Sequence, residues 1–95
     1  MGIDEIKKQK KDILALAAKY GASDVHVFGS VARGQDDANS DVDFLVELGP
    51  DSTLLGRAAM IRELESLLGC KVDVVSDRGL RERVRERVLQ EAFPL

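Results

Sequence analysis

From Asp41 to Glu47 the chain reads Asp-Val-Asp-Phe-Leu-Val-Glu, an apolar run that carries two carboxylates at alternate positions. Its content and length predict a strand over Asp41–Glu47, closed by Gly49 and Pro50. Successive strand side chains point to opposite faces, so Val42, Phe44 and Val46 share one side and Asp41, Asp43 and Leu45 the other. Aspartate is a poor strand former, and two like charges on one face repel each other. The run therefore suits only a sheet with one face on a core and the other carrying something that neutralises charge.

A second segment, Lys71–Ser76, repeats the arrangement with Asp73 between Val72 and Val74. If the valines of both strands face helices, Asp41, Asp43 and Asp73 gather on the opposite face. Taken singly, Asp41 would cap the preceding loop and Asp73 would discourage edge pairing. Matching positions on two strands favour a metal site instead, and hard oxygen donors without His or Cys favour Mg²⁺ or Mn²⁺ over zinc.

Around these strands the period of apolar residues predicts four helices and three strands, in the order helix, strand, short helix, strand, helix, strand, helix. The first helix runs from about Ile3 to Tyr20, with Ile6, Ile13, Ala17 and Tyr20 on one stripe and Gly21 past its end. Asp24–Phe28 is the first strand, Val31-Ala32-Arg33 a short turn, and Gly34–Ser40 an exposed loop. A third helix, capped by Asp51 or Ser52, continues to about Leu68 with Leu54, Ala58, Ile61, Leu64 and Leu68 as its buried stripe. The last helix, Gly79–Ala92, offers only Leu80, Val84 and Val88, so it packs by one narrow face. The expected class is α/β (α+β): a small mixed sheet of three strands or slightly more, with helices packed mainly on one face. At 95 residues the chain accommodates one domain, residues 1–95, with any active site shallow or shared with a partner.

Charge sharpens this. Between Asp24 and Asp77 there are 11 acidic residues against 4 basic ones, a local balance of −7 inside a net charge of −3. The arginines of the last helix alternate with Glu82, Glu86 and Glu91, which reads as a salt-bridged face rather than a nucleic-acid surface. No apolar stretch approaches a membrane span, and the charged N-terminus does not resemble a signal peptide, so the expected location is cytoplasmic. The single cysteine, Cys70, reads as a half-buried apolar residue entering a strand, and His26 as a half-buried strand residue without a catalytic role.

Gly29-Ser30 follows the first strand directly. Glycine permits close approach of the backbone to a ligand, and amide groups at a helix start with a serine hydroxyl suit phosphate oxygens. Ten residues, Val31–Ser40, separate Ser30 from Asp41. For both to meet one ligand, the two strands must be antiparallel. P-loop and dinucleotide-binding patterns are absent.

Together, Gly29-Ser30-Val31-Ala32-Arg33-Gly34, Ser40-Asp41-Val42-Asp43-Phe44-Leu45-Val46 and the later Val72-Asp73-Val74-Val75 resemble the DNA polymerase β-type nucleotidyltransferase superfamily. More narrowly, they resemble the minimal nucleotidyltransferases, MntA-like antitoxins paired with HEPN-domain toxins. The resemblance implies that Asp41, Asp43 and Asp73 are catalytic and hold two Mg²⁺ ions, that Gly29 and Ser30 bind the nucleotide's phosphates, and that Arg33 contacts phosphate or pairs with Asp36 or Asp37. It also implies ATP as substrate, AMP transfer to a tyrosine hydroxyl of a HEPN toxin, and no direct part for nucleic acid or membrane. Two other readings stay open: an antitoxin that neutralises its toxin by masking alone, and a transferase acting on small-molecule hydroxyls.

Overall fold

The computed structural model describes residues 2–29, 41–77 and 82–95. It contains a four-stranded mixed sheet ordered β3-β2-β1-β4, where β1 is Ala22–Phe28, β2 Val42–Leu48, β3 Val72–Ser76 and β4 Phe93–Pro94. β1 and β2 are antiparallel, as the shared ligand requires, while β2 and β3 run parallel in the register Val42↔Val72, Asp43↔Asp73, Phe44↔Val74. The helices are α1 (Ile3–Lys8), α2 (Lys10–Lys19), α3 (Leu54–Leu68) and α4 (Glu82–Glu91).

The valine and phenylalanine positions behave as the alternation requires. Val42, Phe44, Val46, Val72 and Val74 are buried with Val27 in one cluster, against Ile6, Ile13 and Ala17 of the first two helices and Met60, Leu64 and Leu68 of α3. Each such side chain contributes roughly 1.5–3 kcal/mol through burial. The inner faces of β2 and β3 are thereby fixed, and their aspartates are turned to the other side.

Several elements depart from expectation. The single helix expected over Ile3–Tyr20 is two, broken at Gln9, whose backbone leaves helical geometry at φ −101° and ψ 11°. The break keeps both Ile6 and Ile13 in the core; glutamine, a good helix former, gives no warning of it. β1 starts two residues early, at Ala22, with an irregularity between Ser23 and His26 where Asp24 adopts φ 48°. The cap of α3 is Thr53, whose hydroxyl accepts from the Gly56 amide at 2.9 Å, and neither Asp51 nor Ser52.

The stripe expected on α3 holds at Leu64 and Leu68 and is corrected at its start. Met60, Leu64 and Leu68, spaced by four, face the core, while Leu54 and Ala58 lie on the surface. β4 was not foreseen: a two-residue strand carries no period, and Pro94 tolerates only an edge position, which β4 occupies beside β1. α4 spans Glu82–Glu91, and Leu80 lies outside the described residues. Val84, expected on its packing stripe, is exposed. Arg85 and Leu89 instead line a cavity of about 170 Å³ with Leu45, His26 and Glu47, so α4 sits on the outer sheet face. That covers Leu45, which is only 2% exposed. Among the described residues no helix is long and apolar enough to cross a membrane.

Candidate functional site

The site forms where β1 ends and β2 begins. Antiparallel pairing sets Phe28 opposite Asp43, so Gly29, one residue further, turns over the Asp43 side chain. Gly29 has φ +78°, a conformation L side chains rarely adopt. A Cβ built on it would collide with Asp43 Oδ2 and stand 3.2 Å from Asp43 Cγ. Both the backbone and the available space therefore demand glycine, and the backbone lies directly on a carboxylate.

On the other side of Asp43 the parallel register sets Asp73. Adjacent strands lie roughly 4.8 Å apart, so the two carboxylates are neighbours on one face. Asp41 precedes β2 on the same side and is exposed; the amide of the next residue, Val42, donates to Lys71 O at 2.9 Å and ties the starts of the two strands together. Asp73 Oδ1 accepts from the Val74 amide at 3.0 Å, which turns its carboxylate toward its own strand.

Cys70 stands near this end of β3, half-buried, and burial pushes its thiol pKa up. His26 lies two positions back along β1, opposite Leu45, with Nδ1 2.9 Å from Asp24 O. On the shared outer face Asp41, Asp43 and Asp73 offer carboxylate oxygen, which fits Mg²⁺ or Mn²⁺. Among the described residues no three carboxylate, thiol or imidazole groups converge as a metal cage. The expected gathering of Asp41, Asp43 and Asp73 holds as a shared face and not as a closed cluster, consistent with mutual repulsion and with the bond that holds Asp73 to Val74.

Ser30 and Arg33, expected to bind the nucleotide, lie outside the described residues, as do the turn Val31–Arg33 and the loop 34–40. Sequence reasoning passed over Arg57. Its guanidinium donates to the carbonyl of Val74, beside Asp73. An arginine on a helix expected to lie against a strand that carries a functional carboxylate was the available signal.

The nucleotidyltransferase domain family matches residues 6–94. The protein adenylyltransferase MntA of Thermococcus cleftensis is 37% identical over 76 residues, covering 80% of this chain and 77% of that one. A chain of Methanocaldococcus jannaschii provisionally named a protein adenylyltransferase is 37% identical over 92 residues, 97% of this chain and 96% of its own. A solved structure provisionally described as a minimal nucleotidyltransferase superposes with a TM-score of 0.90 at 47% identity, covering 100% of this chain and 97% of that one. The fold is shared further with the MNT antitoxin in its complex with a tri-AMPylated HEPN toxin from Shewanella oneidensis, at TM-score 0.70 and 19% identity, covering 93% of this chain and 69% of the other. By the extent of the family match and the identity to these relatives, the chain belongs to the nucleotidyltransferase domain family.

Proposed function

We propose that this protein is the antitoxin of a HEPN toxin pair and transfers AMP from ATP to a tyrosine hydroxyl of that toxin. The observation that carries the reading is the contact of Gly29 with Asp43, with Asp73 in register beside it. A glycine that leaves a strand over a carboxylate brings a phosphate-binding turn and a metal-binding face into one site. Relatives named protein adenylyltransferase, and a shared fold with antitoxins solved beside their toxins, support the same reading.

In this reading Asp41, Asp43 and Asp73 would hold Mg²⁺. Bound there, Mg²⁺ would neutralise charge on the phosphoryl oxygens and make the acceptor hydroxyl more acidic. The chain's own part is placement. Gly29 and Ser30 would hold the triphosphate through backbone amides and a hydroxyl, and Arg33 would add a charge-assisted contact to phosphate. The tyrosine oxygen would form a bond to the α-phosphorus as the bond from that phosphorus to the bridging oxygen breaks and pyrophosphate leaves, and the hydroxyl proton would pass to the Asp73 carboxylate. The exposure of Asp41 and Asp73 at the starts of β2 and β3, among the described residues, suits a protein-borne acceptor rather than an enclosed small molecule.

Neutralisation by contact is the second reading, and one observation favours it. Leu54 and Leu55, adjacent at the start of α3, are 83% and 84% exposed, at the end of β2 away from the aspartates. Labelled ATP, Mg²⁺ and the purified toxin separate the two readings. Label on the toxin that disappears with Asp41→Ala plus Asp43→Ala supports transfer; full protection of cells by that double variant supports contact.

A further inference from the structure

Among the described residues β3 is an edge strand, with no neighbouring strand on one of its sides. On its paired side Lys71 O accepts from Val42 and Asp73 lies opposite Asp43. Backbone groups of alternate residues point to alternate sides, so those of Val72 and Val74 point to the free edge. Left to water, such an edge frays or pairs with another chain, and a carboxylate between two frayed residues is poorly placed for chemistry that needs sub-ångström precision.

Here α3 meets those groups. The Val72 amide donates to Glu65 Oε2 at 3.3 Å, and the Arg57 guanidinium donates to the Val74 carbonyl. The remaining edge amide, that of Val74, donates to Asp73 Oδ1 at 3.0 Å. One helix thus grips β3 on both sides of Asp73, while Asp73 is bound through one oxygen to the residue that Arg57 holds. Its Oδ2 has no hydrogen bond among the described residues. Displacing Val74 would displace the Asp73 carboxylate with it.

We propose that Arg57, assisted by Glu65, is a positioning residue that fixes β3 and, through Val74, the place of the Asp73 carboxylate; the proposal rests on the reading that Asp73 belongs to the transferase site. Edge protection alone is the competing role, and it would alter stability without touching turnover or metal affinity in folded protein.

The test compares Arg57→Ala, Arg57→Lys and Glu65→Gln with the unmodified chain, each checked for folding by thermal melt. Mn²⁺ binding, followed by electron paramagnetic resonance, is read beside AMP transfer. Arg57→Ala should lower kcat and Mn²⁺ affinity each by about tenfold, with KM for ATP little changed. Arg57→Lys, which can still donate to the Val74 carbonyl, should recover most of both, and Glu65→Gln should lose less than Arg57→Ala. If Arg57→Ala does not fold, Arg57→Met, which keeps the aliphatic stem but has no donor for the Val74 carbonyl, takes its place, and a kcat and Mn²⁺ affinity there equal to the unmodified chain overturn the proposal. A folded Arg57→Ala with both values unchanged overturns it too. Should the unmodified chain transfer nothing yet bind Mn²⁺, and Arg57→Ala weaken that binding, the transferase reading falls and the positioning role stands.

Discussion

The backbone of Gly29 rests against the carboxylate of Asp43 so closely that no side chain fits between them, and its φ of +78° is one that glycine alone adopts without strain. The end of one strand is thus matched to the start of the next at the point where phosphate and metal chemistry would meet.

Gly29→Ala and Gly21→Ala form a controlled pair. Gly21 has nearly the same φ, +75°, but a Cβ there would meet nothing within 4 Å. Gly21→Ala should cost about 1–2 kcal/mol of stability from backbone strain and leave activity unchanged. Gly29→Ala adds the collision with Asp43, and a displacement near 1 Å at a reacting group costs roughly a hundredfold in rate. Denaturant melts and transfer assays on both variants check this; equal activities would mean that the contact has no catalytic consequence.

Asp41→Asn should abolish metal-dependent transfer while leaving the metal-free protein as stable as before, or slightly more so. Asp41 is exposed beside two like charges, so its removal relieves repulsion. Thermal melts without divalent ions read the sign directly, and a large loss of stability would make Asp41 a structural residue.

The first two strands and the burial of one face of β2 were legible because alternation in Val42–Val46 is a strong local signal that the core reinforces. So was the antiparallel placement of Gly29 near Asp43. What escaped was set by tertiary packing. Leu64 and Leu68 are buried as the stripe on α3 required, yet Leu54 and Ala58 of that stripe lie on the surface, and the core takes Met60. Nothing local announces that α4 crosses Leu45. The break at Gln9 and the two residues of β4 likewise follow from what they pack against.

The cap of α3 gives a test of local structure. Thr53→Ala should cost about 1 kcal/mol, whereas Ser52→Ala and Asp51→Ala should change stability little, because only Thr53 accepts the Gly56 amide. Urea melts of the three variants decide which residue is the cap.

A pH dependence follows from the cluster of Tyr20, Glu63 and Lys19, which joins α2 to α3. Hydrogen bonds from Tyr20 and then Lys19 hold the Glu63 carboxyl below its usual range, and the bond to Glu63 pushes the Tyr20 hydroxyl above its own. Glu63 binds its proton less readily folded than unfolded. Its contribution is therefore complete above the ordinary carboxylate range and fades as pH falls through the depressed value. For Tyr20 the sign is reversed: the contribution is complete below the tyrosine range and fades as pH climbs through the raised value. The cluster is solvent-screened, so the effect is small. Melts of the unmodified chain and Glu63→Gln across acid pH should converge as Glu63 protonates; a constant difference would contradict the assignment.

The central claim meets its most direct test in transfer of label from ATP carrying ³²P at the α-phosphate to the purified HEPN toxin, with Mg²⁺, by the unmodified chain and by Asp41→Ala plus Asp43→Ala. The account predicts label on a toxin tyrosine with the first protein and none with the second. No label from the unmodified chain, or equal label from both, would contradict it.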